Sequence, residues 1–123
     1  MELICACASE DGKEFHNKHF GESSYYYIYR VTPSGSSFIK KIPNTSVEER
    51  IHEDPAKARS VASILLQEHV QVVISRRFGP NIKRIRMRFA YVLANKVDVE
   101  QSLEIVAARF DEILSQVPAP PRP

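Results

Sequence analysis

The amino-acid sequence predicts an α/β domain in which a mixed five-stranded sheet is flanked by helices. Three observations carry that reading. A short apolar run, Leu3-Ile4-Cys5-Ala6-Cys7-Ala8, opens the chain with the pattern of a strand covered on both faces. A second β-branched run, Val70 to Ile74, follows a stretch of helical periodicity after a brief connection, as in a βαβ crossover with parallel pairing. Between them, two segments joined by Pro33-Ser34-Gly35 read as a hairpin. At 123 residues, 43% hydrophobic and 26% charged, the chain has the length of one domain with its own core and the composition of neither a disordered segment nor a membrane protein. Residues 1–117 are taken as that single domain, and 118–123 as a proline-rich, disordered tail.

Taken in order, Leu3 to Ala8 is the central strand, ended by the turn residues Ser9-Glu10-Asp11-Gly12. Lys13 to Glu22 has no periodicity, carries His16, His19 and Gly21, and reads as a long loop that needs a reason to exist. Ser24 to Val31 follows as a strand with Tyr25, Tyr27 and Tyr29 on one face and Tyr26, Ile28 and Arg30 on the other, and Ser37 to Ile42 returns beside it. Asp54-Pro55 has the form of a helix cap with proline at the first helical position; Ala58, Val61, Ala62, Leu65, Leu66 and His69 then recur at helical spacing. The helix is expected to end near His69, whose imidazole would meet the terminal carbonyls. After Val70 to Ile74, parallel to the first strand, Phe78-Gly79-Pro80-Asn81 turns the chain into a helix with apolar positions Ile82, Ile85 and Phe89. Tyr91 to Leu93 makes the last strand. Asp98 caps a final helix in which Val99, Leu103, Val106, Phe110, Ile113 and Val117 follow the three-four repeat, until Pro118 stops it.

Charge and cysteine use bound the chemistry. Six basic residues and no acidic one lie between Arg76 and Arg88, whereas Glu48, Glu49, Glu53 and Asp54 form an acidic stretch upstream. The net charge of +2 is too small to imply nucleic acid. Cys5 and Cys7, the only cysteines, share one face of a strand and make poor disulfide partners. They read as small core residues, with a thiolate pair serving a metal as the alternative. No apolar run approaches the roughly 20 residues of a membrane-spanning helix, and the first run lacks the length and basic start of a signal peptide. The expected compartment is the cytoplasm, with no membrane partner.

The order of short motifs resembles a known family. An opening strand ending in Ser-Glu-Asp-Gly, His19-Phe20-Gly21 before an aromatic strand, then a helix, Val72-Val73-Ile74 and Phe78-Gly79-Pro80-Asn81 resemble the dinitrogenase iron–molybdenum cofactor biosynthesis family from Leu3 to about Ala108. The resemblance implies a ribonuclease-H-like fold and binding or transfer of iron–sulfur or molybdenum–iron–sulfur clusters, with cluster donor and acceptor proteins as partners. It places the family's histidine on His19 and its Gly-Pro turn on Gly79-Pro80. Two departures stand out: of the histidine- and glycine-rich stretch of many relatives only His52 is present, and Arg76-Arg77 stand where many have small residues.

Under that reading the candidate ligands are His19, with His16 and His52 as further donors, because imidazole suits a cluster that must be handed on. His19 follows the carboxyl end of a central strand, where open sheets commonly bind ligands. Phe20 and Gly21 belong to the same motif. Arg76, Arg77, Gly79 and Asn81 form an expected anion site, where backbone N–H groups at a helix start and two guanidinium groups would meet negative charge. The chain is read as a carrier and not as an enzyme. A metal-dependent nuclease would need carboxylates on the first strand, which offers Cys5 and Cys7 instead. A protein-interaction module with a basic face is the alternative, and a nucleic-acid-binding module the weaker one.

Overall fold

The structure, a computed structural model, describes residues 1–46, 55–80 and 82–119. The expected cap Asp54, the candidate ligand His52, the turn residue Asn81 and the tail residues 120–123 lie outside these, while 118–119 carry no regular secondary structure.

Five strands form one sheet, β1 (Leu3–Ala8), β2 (Tyr25–Thr32), β3 (Gly35–Pro43), β4 (Val72–Ser75) and β5 (Ala90–Leu93), in the order β3-β2-β1-β4-β5. β1 is central. It pairs antiparallel with β2 and parallel with β4, with Cys5 opposite Val72 and Cys7 opposite Ile74. β5 extends the parallel side and β3 the antiparallel side. A continuous apolar run is what such a position demands, because both faces of β1 are covered.

Alternation along the strands sorts side chains into two cores. One face sends Leu3, Cys5, Cys7, Tyr27, Val31, Val72 and Ile74 against α3 (Val99–Ala108) and α4 (Phe110–Gln116). From the other face Ala6, Ala8, Tyr26, Ile28 and Val73 meet α1 (Pro55–Gln67), the single turn α2 (Ile82–Ile85) and the aromatic residues Phe20, Phe78 and Phe89. The result is three layers. The two faces of β2 divide as its alternation predicts, with Arg30 held at the surface by Glu2 at 3.1 Å.

Several boundaries differ from the sequence reading: α2 stops at Ile85, short of Phe89, and β3 begins at Gly35. α1 ends at Gln67, and His69 adopts a left-handed backbone with φ 61°. The backbone N–H groups of Glu68, His69 and Val70 satisfy the last carbonyls at Leu65 and Leu66, so the His69 ring is not the cap. Strand β4 begins at Val72 because the Gln71 side chain, accepting from Ile4 N at 3.0 Å, completes the ladder beside Gln71 N–H. The final helix is two, broken at Arg109 (φ −110°, ψ 28°), although Asp98 caps its start by accepting from Gln101 N.

Candidate functional site

The long loop after β1 is fastened along its length. Ser9 Oγ donates to Glu14 O at 2.6 Å and accepts from Gly12 N at 2.8 Å. Asp11 Oδ1 collects the N–H groups of Lys13 and Glu14, which holds its carboxyl below the usual carboxylate range. Further on, Phe15 N donates to Val97 O and Val99 N to Lys13 O, tying the loop to the start of α3. The chain thus reaches His19 on a fixed course.

Phe20 anchors the site. Its ring is fully buried, stacked on Phe78 with centroids 5.4 Å apart and tilted against Tyr26 at 4.8 Å. Tyr26 Oη donates to Phe20 O at 2.8 Å, and Phe20 N donates to Arg77 O at 2.8 Å. Ser75, buried at the end of β4, donates to the same Arg77 carbonyl at 2.9 Å. These bonds bring the His19-Phe20-Gly21 segment and the Arg76 to Pro80 turn side by side, beyond the carboxyl ends of β1 and β4.

His19 lies between them. Its Nδ1 is 3.2 Å from Glu22 Oε1, and its Nε2 is 3.2 Å from Arg77 Nη2. Arg77 Nη1 also donates to Asn17 O at 3.1 Å. A carboxylate and a guanidinium on opposite ring nitrogens select one neutral tautomer: Nδ1–H donates to Glu22, and the Nε2 lone pair accepts from Arg77. Gly79 has φ 77°, and a Cβ there would lie 2.6 Å from His19 Nδ1. Only glycine allows both that backbone and that approach. His19, Gly21, Glu22, Lys57, Val61, Phe78 and Pro80 line a narrow cleft of about 20 Å³.

The other candidates are placed differently. Arg76 makes no ion pair with a described residue. Gly21 lines the cleft, but a Cβ there would meet only ordinary contacts with Lys57 and Val61 at 3.7 Å. His16 does not line it. Its Nδ1 accepts from Lys18 N at 3.1 Å, and its Nε2 is buried with no hydrogen-bond partner among the described residues. Cys5 and Cys7 are fully buried core residues; burial pushes the Cys5 thiol up to about 12 and the Cys7 thiol up as well. Among the described residues no group of three or more His, Cys, Asp or Glu side chains converges to hold a metal ion. Sequence reasoning missed Glu22 and Lys57. Glu22, three residues after His19, was open to a spacing argument; Lys57 reaches the cleft only through the packing of α1.

Against known proteins, the dinitrogenase iron-molybdenum cofactor family matches this chain over residues 1–110. A crystal structure of a provisionally named dinitrogenase from Methanocaldococcus jannaschii is similar at 18% identity, covering 87% of this chain and 89% of that one, with a TM-score of 0.61. A solution NMR structure, with the same provisional name and from Methanococcus jannaschii, covers 100% of this chain and 97% of its own at 15% identity, with a TM-score of 0.57. No curated protein matches.

Proposed function

The chain belongs to the dinitrogenase iron-molybdenum cofactor family, and from that premise we propose that it is a non-enzymatic carrier of an anionic iron–sulfur or molybdenum–iron–sulfur cluster. On this reading it receives the cluster from a donor protein and passes it to an acceptor. The mixed sheet, with its hairpin on one side and parallel strands on the other, supports the ribonuclease-H-like label. No helix among the described residues is long and apolar enough to cross a membrane, and we place the exchange in the cytoplasm.

The observation that carries this reading is the state of His19. Metal-bound histidines usually donate one ring N–H to a carboxylate or carbonyl and coordinate through the other nitrogen. Glu22 supplies the first half of that arrangement, so Nε2 is the nitrogen with a lone pair to give. Arg77 now covers it. Arrival of a cluster would exchange the guanidinium for iron at Nε2 and leave Arg77 beside the cargo as a counter-charge, with Lys57 across the cleft. The donor set fits a cluster that keeps its own sulfide ligands and needs few from the protein. Among the described residues it does not offer the three or four donors that a resident mononuclear ion would require.

Anaerobic reconstitution of the parent, His19→Ala and His52→Ala, read by metal content and optical spectrum, tests this. Uptake by the parent and by His52→Ala, with loss in His19→Ala, is the expected result. A parent that takes up no cluster, or a His19→Ala variant that loads like the parent, would remove His19 as the ligand.

A further inference from the structure

A groove runs between α1 and the segment that follows α2, on the same side of the sheet as the His19 cleft. It encloses about 500 Å³, and Ala58, Ala62, Leu66 and Met87 form its apolar part. Met87 is 70% exposed and Leu66 41%, unusual for large apolar side chains standing together on a monomer. Arg59, Arg84 and Arg88 border it, and among the described residues no acidic side chain lines it. Ala58 lines both the groove and the cleft, so the two features adjoin.

We propose that this groove docks an acidic, amphipathic segment of a partner protein, with apolar side chains seated on Leu66 and Met87 and carboxylates facing Arg59 and Arg88. Charge complementarity selects the occupant. A groove bordered by guanidinium groups repels a basic segment, steers an acidic one and fixes its register, while the apolar part holds it. Methionine suits such a surface because its unbranched, polarizable side chain adapts to the partner. Nucleic acid fits less well, since no aromatic side chain among the described residues lines the groove for a base to stack on. A partner seated here would stand next to His19. Docking itself requires no cluster, so it stands or falls apart from the carrier reading.

The test uses the full chain without metal and a labelled helical peptide carrying leucines on one face and glutamates on the other. Its lysine counterpart and a single-stranded RNA serve as competing probes. Binding of the acidic peptide, with NMR shifts concentrated at the methyl groups of Ala62, Leu66 and Met87, is expected. Affinity should fall at least about tenfold in Met87→Asp and in Arg59→Glu/Arg88→Glu, both changes at exposed positions. The proposal is overturned if the lysine peptide or the RNA binds as tightly, if shifts map elsewhere, if the acidic peptide fails to bind, or if Met87→Asp abolishes a concentration-dependent self-association instead.

Discussion

At the scale of single residues, His19 and Gly79 make one unit, because the imidazole rests where a Cβ of residue 79 would be. Gly79→Ala should cost about 1–3 kcal/mol through its left-handed backbone and displace the ring by steric contact. Chemical denaturation gives the first number, and a changed His19 imidazole NMR signal reports the second; an unmoved ring would show that the turn yields instead. His16 yields a pH prediction. Burial holds its imidazole below the ordinary 6.5, so as pH falls below that value the unfolded chain takes up the proton before the folded one. The stability associated with neutral His16 is therefore complete above 6.5 and is lost as pH falls from there through the lower folded value. His16→Gln should flatten the fall of Tm between about pH 7 and pH 5. An unchanged slope would assign that pH dependence to other groups.

At the scale of elements, the position of each strand follows from how many of its faces are covered. β1 and β4 are buried on both, and their runs are apolar apart from Ser75 at the end of β4; β3 is an edge whose residues are mostly exposed, and lysines at 40 and 41 blunt it. Ile74, opposite Cys7 in the parallel ladder, is fully buried. Replacing it by Asp places a carboxylate among the apolar side chains of the core, a loss of more than about 4 kcal/mol. Because whole domains are stable by only about 5–15 kcal/mol, most of that margin would vanish. A variant with the parent's urea midpoint would contradict the packing of β4. Helix ends were less legible. The spacing that carries His69 into α1 is indistinguishable from the spacing of a helix that stops two residues earlier, and the backbone bonds to Leu65 and Leu66 decide the matter. The break at Arg109 likewise interrupts an apolar repeat that runs on through Phe110 and Ile113.

At the scale of the whole molecule, the basic run from Arg76 to Arg88 does not act as one patch. Arg77 lies against His19 and Asn17, whereas Arg84 and Arg88 border the groove beside α1. With so few cations acting together, binding to DNA or RNA should be weak at physiological salt and vanish with added salt. Tight, salt-steep binding in a titration would favour a nucleic-acid module over the carrier.

What the sequence determined by itself is what short-range patterning encodes. Alternation in Tyr25 to Val31, the unbroken apolar runs at Leu3 to Ala8 and Val72 to Ile74, and the caps and turn residues each state how one segment meets its surroundings, because periodicity records which side of an element is covered. The pairing of β1 with β4 and the lodging of Cys5 and Cys7 in the core follow from these. Tertiary structure alone decided which of the histidines meets which partner. His16 and His19 are three residues apart in similar loop sequence, yet one is turned into the protein beside Lys18 and the other faces Glu22, Arg77 and Gly79. Arg77 lies 58 residues from His19 along the chain, and Lys57 reaches the cleft from another layer. No local pattern carries contacts of that range, since they are set by how the sheet and helices pack once every element is in place.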